Sequence, residues 1–370
     1  MNKEIKILSL VSYKYLPAIM GGQKGIALFY HFFSPLAQLT CVTTQNNDTT
    51  FAKEYEVLNI LSNKQIRYIN IFYFFSLKKI IRRKKITHLI LEQPFYGWLG
   101  ILLKWYCGIT LVVHSHNIEA LRFKSIGKWW WRILWHYERF TYKKANLVFF
   151  IQDADREYGI AKFKLNPKKC FTITYGFELN KKPTNEERQA SRKIILSQHA
   201  IASEEKVLLF NGTLDYKPNL DALDIILNKI NPALMLAENF KYKIIICGKS
   251  LPISYNELKS YNNKNIIYAG FVDDITLYFK AADIFINPVI DGGGIKTKLV
   301  EALGHNINVV TTASGAMGVP TTITGNKMRV IEDNNWEFFA QEIIKIDISS
   351  DIPEAFFEHF YWGNIVKKAV

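Results

Sequence analysis

The sequence lacks several features that would assign it to a membrane-spanning, secreted or metal-binding class. No run of about 18 apolar residues occurs, so no membrane-spanning helix is predicted. Only four cysteines occur, and their spacing is not that of a paired metal site. Three of them lie in or beside apolar runs, which is typical of buried free thiols in a reducing compartment. The N-terminus passes straight into a strand pattern without a signal peptide, so we expect a cytoplasmic location.

What the chain does have is a large apolar content and an uneven distribution of charge. Hydrophobic residues make up 49% of it, enough for sizeable cores. Residues 1–182 carry 28 Lys and Arg against 11 Asp and Glu, a net charge of +17, whereas residues 183–370 carry 19 against 22, a net charge of −3. The basic half indicates an anionic partner: a membrane surface, a nucleic acid or an anionic glycan.

Short apolar runs alternate with longer amphipathic stretches in both halves, which predicts an α/β fold with two parallel, doubly wound, Rossmann-like sheets. The polar segment from Gly176 to about Ser203 indicates a linker and a surface helix. We expect a first domain over residues 1–182 and a second over 183–354. The predicted strands are 5–11, 40–44, 88–92, 110–115, 146–151, 171–174, 206–212, 243–248, 265–270, 283–288, 307–312 and 329–331.

The most informative stretch runs from Ala282 to Val319. It predicts a strand, a turn with three glycines at 292–294, a helix and a second strand. Glycines let the backbone approach a ligand, and the first amides of a helix favour an anion, to which Lys296 and Lys298 add positive charge. The pattern thus indicates a phosphate site, although an ordinary αβ connection also uses glycine for close packing. Glu301 lies one turn beyond Lys298 in an apolar segment, where a carboxylate needs a partner such as a ribose diol.

This stretch resembles the C-terminal donor site of GT-B glycosyltransferases, specifically the large retaining family called glycosyl transferases group 1 or family four. One position departs from the pattern: Gly293 stands where many members carry the first glutamate of a pair, a departure shared by a sub-group with a GGG or GSG turn. The matching residues are Pro288, Gly292, Gly294, Lys298, Glu301, Ala302, Gly315 and Gly318.

The resemblance implies a donor site that draws on several loops. Gly21 and Gly22 form a first glycine-rich loop, although a lone Gly-Gly is more often a plain turn. Thr213 stands where many members have an arginine, and Lys217 is the candidate for its charge. The implied donor-binding residues are Gly21, Gly22, Gly212, Thr213, Lys217, Val272, Gly293, Gly294, Ile295, Lys296, Thr297, Lys298 and Glu301.

Two histidines follow the fourth predicted strand, at the edge where open α/β sheets bind ligands. A histidine at such a position is more often structural than functional. The segment of His116, Asn117, Glu119 and Arg122 resembles the family pattern, which implies that His116 contacts the transferred sugar in the catalytic site. We expect His114 to point to the other face, and the sequence leaves open which histidine faces the sugar.

Aromatic and basic residues also cluster in the first half. Four tryptophans (Trp129, Trp130, Trp131 and Trp135) lie beside five basic residues (Lys128, Arg132, Arg139, Lys143 and Lys144), and a second basic cluster spans Lys78 to Lys85. Such helices lie at membrane interfaces, or form amphipathic core helices with a solvated basic face. Together with the charge of +17, they favour peripheral association with the anionic inner face of a membrane.

The resemblance implies a retaining hexosyltransferase that moves a sugar from a nucleotide-diphosphate sugar to a glycan or lipid-linked acceptor in cell-surface polysaccharide or glycolipid synthesis. It also implies that residues 355–370 pack back on the first domain. No cofactor is expected, and no metal, because no Asp-x-Asp pair appears where a divalent ion would be needed. The alternatives are a nucleotide-sugar epimerase on the same fold and, less favoured, a nucleic-acid-binding protein that uses the basic half.

Overall fold

The structure is a computed structural model that describes residues 5–19, 21–346 and 349–369. The chain forms two compact units. The first contains Met1–Glu178 together with Trp362–Val370, and the second contains Leu179–Tyr361. Across the described residues no helix combines the length and the hydropathy that a membrane crossing requires. The four cysteines are free, and three of them are buried.

The first unit is built on a seven-stranded parallel sheet in the order β3-β2-β1-β4-β5-β6-β7. Strand order therefore reverses between β1 and β4, which is where doubly wound sheets bind ligands. The strands are β1 (Lys6–Val11), β2 (Gln38–Thr44), β3 (Glu56–Leu61), β4 (His88–Glu92), β5 (Thr110–Ser115), β6 (Leu147–Phe150) and β7 (Cys170–Thr172). The helices are α1 (Gly21–Phe33), α2 (Phe72–Lys84), α3 (Gly97–Cys107), α4 (Glu119–Ser125), α5 (Trp131–Lys144) and α6 (Asp153–Lys162).

Successive side chains of each strand point to opposite faces of this sheet, so the two faces carry different residues. Leu89 and Leu91 of β4 enter the hydrophobic core that also contains residues of α2 and α3. Glu92, the next residue, turns toward the opposite face, where Tyr30 of α1 hydrogen-bonds to it. The period of two therefore places a carboxylate at the end of β4, beside the point of strand reversal.

The second unit has a six-stranded parallel sheet in the order β10-β9-β8-β11-β12-β13, with its reversal between β8 and β11. The strands are β8 (Lys206–Asn211), β9 (Tyr242–Cys247), β10 (Ile266–Gly270), β11 (Ile284–Asn287), β12 (Asn308–Thr312) and β13 (Met328–Ile331). The helices are α7 (Asn185–Gln198), α8 (Lys217–Ile225), α9 (Asn231–Met235), α10 (Ile275–Ala281), α11 (Thr297–Gly304), α12 (Trp336–Lys345) and α13 (Glu354–Phe360), with a π-helical turn at Ile226–Ile230 between α8 and α9.

The chain ends in the first unit with helix α14 (Trp362–Ile365). Trp362 is buried against Tyr175 and Phe29 of that unit. Its ring lies on Gly176, where a Cβ atom would stand only 2.4 Å from Trp362 Cδ2. A glycine at 176 is therefore required for this packing.

Candidate functional site

The glycine-rich segment of the second unit lies at the reversal point of its sheet. Strands β8 and β11 are neighbours, so the residues that follow each strand emerge at the same edge. Asn211 ends β8, and the segment from Pro288 to Lys296 connects β11 to α11. The predicted strand–turn–helix–strand unit is present, although α11 begins at Thr297, so Ile295 and Lys296 precede the helix.

The backbone of this connection needs glycine at two positions. Gly292 has φ of 91° and Gly294 has φ of 73°, both in the left-handed region that side chains rarely adopt. Gly293 has no such requirement, because a Cβ there would meet no atom within 4 Å. Space is thus left beside the backbone of Gly293, immediately before the N-terminus of α11.

Lys298 projects from the first turn of α11 to the end of β8. Its Nζ donates to the carbonyl oxygen of Asn211 at 3.1 Å and to Asn219 Oδ1 at 3.0 Å. The ammonium also lies 4.5 Å from the centroid of the Phe210 ring. All these partners are uncharged. Burial, with a smaller effect from the neighbouring Lys296 ammonium, lowers the pKa of Lys298 to about 7.

Lys296 places a second ammonium in the same segment. Its Nζ donates to the carbonyl oxygens of Gly292 and Gly294, which folds the connection around the lysine head. Burial lowers the pKa of Lys296 to about 8, although Asp291 opposes the shift. Two partly desolvated ammonium groups therefore stand at the start of α11, where the helix dipole already favours an anion.

Asn219 links this cluster to the loop after β8. Its Nδ2 donates to the carbonyl oxygen of Thr213 at 3.0 Å while its Oδ1 accepts from Lys298. The side chain fits only because residue 212 is glycine, since a Cβ there would lie 2.7 Å from Asn219 Nδ2. Asn219 lies inside the first turn of α8 and does not cap it, because Tyr216 is the N-cap, and Tyr216 makes no side-chain hydrogen bond there.

Three other predicted donor residues lie near this edge of the sheet in different settings. Lys217 begins α8 and pairs with Asp221, and its side chain is 81% exposed. Val272 is half-buried in the turn between β10 and α10, two strands away from β8. Glu301 is half-buried in α11, three residues beyond Lys298 and on the same side of the helix.

In the first unit, Gly21 and Gly22 are the first two residues of α1 rather than a loop that precedes it. A Cβ at Gly22 would meet nothing within 4 Å. The predicted glycine-rich loop is therefore a helix N-terminus with open space beside its second residue.

A cluster of titratable side chains surrounds Glu92 in this unit. His116 Nε2 lies 2.6 Å from Glu92 Oε2, and His114 Nδ1 lies 3.2 Å from Glu92 Oε1. Tyr30 donates its hydroxyl hydrogen to Glu92 and is itself hydrogen-bonded to Ser9. Burial would raise the pKa of Glu92, but the contacts with His114 and His116 outweigh burial and hold it well below its usual range.

His114 does not point to the other face, as the sequence analysis expected. Both histidines approach the same carboxylate, and their ring centroids are 4.9 Å apart. Residues two apart on a strand share a face, which is the physical reason for the correction. The two rings differ in setting: His114 packs against Phe29 and is buried, whereas the His116 side chain retains 10% exposure.

The segment after His116 is fixed by a second buried acid. Glu138 of α5 accepts hydrogen bonds from the backbone amides of Glu119 and Ala120, at 2.9 and 2.8 Å, and so caps the start of α4. Burial raises the pKa of Glu138 to about 8. Glu119 pairs with Arg122 and accepts from Gln93 Nε2 at 3.2 Å. Glu119 and Arg122 of the predicted motif are therefore in contact.

Comparison with solved structures gives the fold type. A glycosyltransferase from Rickettsia africae ESF-5 superposes with a TM-score of 0.73 at 17% identity, covering 99% of this chain and 97% of that one. HepE from Anabaena in complex with UDP superposes with a TM-score of 0.72 at 13% identity, covering 99% and 98%. At such identities the likeness shows the fold alone, and it confirms the predicted GT-B fold.

Sequence comparison decides the family. Residues 205–346 match the family model described as Glycosyl transferases group 1. Residues 37–181 match the model described as Glycosyltransferase Family 4. The chain belongs to the group 1 glycosyltransferases. A curated relative, an uncharacterized 44.6 kDa protein in the cps region of Klebsiella pneumoniae, is 31% identical over 143 residues, which span 37% of this chain and 36% of that protein.

Two residues of these clusters, Glu92 and Asn219, were not among the predicted site residues. Glu92 ends the apolar run of β4, and a carboxylate there should have been placed beside the histidines that end β5, because neighbouring parallel strands end at one edge. No signal in the sequence shows that Asn219 reaches Lys298, because 79 residues separate the two.

Proposed function

We propose that the chain transfers a sugar from a nucleoside-diphosphate sugar to a glycan or lipid-linked acceptor. The observation that carries the proposal is Lys298: a half-buried ammonium whose hydrogen-bond partners are neutral, beside a second ammonium and the N-terminus of α11. Such a group is costly in the free protein and is relieved by an anion. A diphosphate would supply the negative charge, and Glu301 would accept hydrogen bonds from the ribose.

The residues of this segment would contact the diphosphate of the donor. The amides of Gly293 and Gly294 and the head of Lys298 would hold the diphosphate, and the positive charge would matter more as negative charge develops on the leaving group. In this proposal no metal ion is needed to neutralise the diphosphate, since Lys296 and Lys298 supply two charges. We also propose that His116, directly after β5, acts in the chemical step.

We further propose that the sugar keeps its anomeric configuration. The family resemblance implies retention, and we favour attack on the same face of the sugar, assisted by the leaving phosphate. Proton NMR of the first-formed product reports its anomeric configuration. An inverted product would contradict this part of the proposal.

The test of donor binding is a thermal-shift panel of UDP-, GDP- and ADP-sugars. A ligand that binds only the folded state stabilises it according to its concentration over its dissociation constant, by about 2.7 kcal/mol at one hundred times that constant. One nucleotide series is expected to raise the melting temperature in a concentration-dependent way. HepE, with which the fold is shared, was solved with UDP, so the uridine series is the first to measure. A flat response to all three would contradict the proposal.

The acceptor side is proposed to involve an anionic membrane. The outer face of α2 exposes Phe72 and Phe75, at 71% and 64%, beside Lys79, Arg82 and Arg83. Neighbouring α3 exposes Trp105, and Phe74 of α2 contacts Tyr106 of α3. Exposed aromatic side chains next to basic ones match a helix that lies in a membrane interface.

The tryptophan cluster that the sequence suggested contributes less to such a surface. Trp129 is 81% exposed, but Trp135 is half-buried and donates its Nε1–H to Tyr158 at 2.9 Å. Helix α2 is therefore the better candidate for membrane contact.

Vesicle flotation tests the membrane proposal. We expect binding to anionic liposomes that weakens as salt is added, and loss of most of it when Phe72 and Phe75 are both replaced by serine. A matched exposed aromatic outside this surface, Phe271→Ser, serves as the control. Equal binding to neutral vesicles, or no binding to either kind, would contradict the proposal.

One observation favours a second candidate, a nucleotide-sugar epimerase. Glu92 and His116 form a carboxylate–imidazole pair at 2.6 Å, and epimerisation requires acid–base groups near the sugar. The experiment that separates the two activities is incubation with the nucleotide sugar and no acceptor. An epimerase changes the configuration of a sugar carbon that proton NMR detects, whereas a transferase leaves the sugar unchanged or slowly hydrolyses it.

A further inference from the structure

We propose that Glu92 is a positioning residue for His116: its carboxylate holds the imidazole through Nε2–H, which fixes the ring and presents Nδ1 to the substrate. Only the effect expected on kcat rests on the proposed function; the tautomer of His116 does not. The contacts that carry it are the 2.6 Å separation of His116 Nε2 from Glu92 Oε2 and the nearly complete burial of Glu92.

The hydrogen-bond partners of Glu92 fix which nitrogen carries the proton. A carboxylate accepts and cannot donate, and three groups converge on this one: Tyr30 Oη, His114 Nδ1 and His116 Nε2. Each histidine must therefore present an N–H, at Nδ1 in His114 and at Nε2 in His116. Because a second ring nitrogen remains in each case, the carboxylate sets opposite tautomers in the two neighbouring rings.

The remaining nitrogens have different surroundings, which separates the roles of the two histidines. His114 Nε2 is buried without a hydrogen-bond partner, and a lone pair is less costly there than an N–H bearing charge. His114 thus completes the support of Glu92 and offers no accessible nitrogen to a ligand. The His116 side chain keeps 10% exposure, and within residues 5–19, 21–346 and 349–369 its ring makes no hydrogen bond other than the one to Glu92. Nδ1 of His116 is therefore the nitrogen left for a ligand.

The support of Glu92 continues outward. Tyr30 is buried in α1 and joins Glu92 to Ser9 of β1. Carboxylate, tyrosine and serine come from three different elements, so the orientation of Glu92 is fixed by the fold rather than by a flexible loop. A catalytic group held in this way keeps its geometry without reorganising during the reaction.

The same three side chains also satisfy a chemical criterion for a metal centre. One ligand atom each from Glu92, His114 and His116 lies within 4.8 Å of the others, and two histidines with a carboxylate can hold zinc or iron. The spacing favours hydrogen bonding instead. Two ligands of a tetrahedral zinc ion stand roughly 3.3 Å apart, whereas His116 Nε2 and Glu92 Oε2 are separated by 2.6 Å.

The experiment combines spectroscopy with kinetics on the full chain. Histidine is labelled with nitrogen-15, and long-range proton–nitrogen correlation spectra assign the tautomer of His116, with His116→Asn used to identify its signals. The wild-type spectrum is expected to show an Nε2–H tautomer for His116 and an Nδ1–H tautomer for His114. In Glu92→Gln, where an amide replaces the carboxylate, the His116 signals should shift toward a mixture of tautomers.

The kinetic arm separates positioning from binding. Glu92→Gln is expected to lower kcat by at least about tenfold, because the wrong tautomer disables a positioned histidine, while the donor dissociation constant stays within about twofold. Glu157→Gln, an exposed carboxylate of α6, is the matched control and should change neither. His116→Ala should lower kcat at least as much as Glu92→Gln, and the double variant should be no worse than His116→Ala.

Three results would overturn the proposal. One is an Nδ1–H tautomer of His116 in the wild-type protein, which needs no variant and so decides the point even if Glu92→Gln does not fold. Another is a stoichiometric metal ion whose removal by chelator shifts both histidines, which would make the cluster a metal centre. The third is an unchanged kcat in a folded Glu92→Gln. If the wild-type enzyme turns over no nucleotide sugar at all, the proposed function fails, while the tautomer measurement still stands by itself.

Discussion

Replacing Lys298 by methionine should make the free protein more stable and abolish its response to a nucleoside diphosphate. The pKa of Lys298 is about 7 in the folded chain, against about 10.4 in an unfolded one. At about 1.4 kcal/mol per unit, the fold opposes the charged form by about 4 to 5 kcal/mol. Solvent contact at the half-buried side chain reduces that figure, and leaving the acceptors on Asn211 and Asn219 unpaired costs about 1 kcal/mol each.

The net expectation for Lys298→Met is a gain of about 1 to 3 kcal/mol near pH 7, or several degrees in melting temperature for a domain of this size. The direction in which this stability difference changes with pH follows from the same pKa values. Because the folded pKa lies below the unfolded one, the unfolded chain binds more protons between about pH 7 and 10, and wild-type stability rises through that interval. The advantage of the methionine variant should therefore shrink as the pH approaches 10.

The assay is differential scanning calorimetry of the two proteins at several pH values, with and without nucleoside diphosphate. Lys241→Met, an exposed lysine of the same unit, is the matched control and should keep the ligand-induced shift. The reasoning is refuted if Lys298→Met is less stable than wild type at pH 7 with its fold intact, or if it keeps the full shift with the nucleotide.

Three further predictions concern the same site. Between about pH 7 and 9 the affinity for a nucleoside diphosphate should fall, by up to about tenfold per unit, because binding must return a proton to Lys298, and calorimetry in buffers of different ionisation enthalpy should detect proton uptake. Gly293→Ala should lower diphosphate affinity without changing the melting temperature, whereas Gly315→Ala should destabilise the protein, since its Cβ would lie 2.5 Å from Thr311 Oγ1. Glu301→Gln should weaken nucleoside binding by about 1 to 3 kcal/mol, and an unchanged affinity in titration calorimetry would remove it from the ribose site.

The sequence predicted most of the fold because its signals were local. Twelve strands were predicted from short apolar runs, and their parallel pairing was predicted from the alternation with helices. Strand β3 was not predicted because Glu56 and Asn59 interrupt its apolar residues, which are mostly half-buried at the edge of the sheet. An edge strand that is partly exposed does not need the continuous apolar run that marks a central parallel strand.

The donor segment was accessible to sequence reasoning for a similar reason. Gly293, Lys298 and Glu301 lie within nine residues, so glycine turn, helix start and charge could be judged together. The hydrogen bonds of the Glu92 cluster could not be judged in this way. His114 and His116 lie 22 and 24 residues after Glu92 in the sequence and meet it only across neighbouring strands. The carboxyl ends of β4 and β5 share one edge, and that topological fact was available, but the hydrogen bonds that select Nε2 of His116 required coordinates.

The most direct test of the central claim is a structure of the protein with a bound nucleoside-diphosphate sugar. The account predicts diphosphate oxygens within hydrogen-bond distance of Lys298 Nζ and of the amides of Gly293 and Gly294, with the ribose hydroxyls on Glu301. A diphosphate bound elsewhere in the chain, or a ribose that leaves Glu301 untouched, would contradict it.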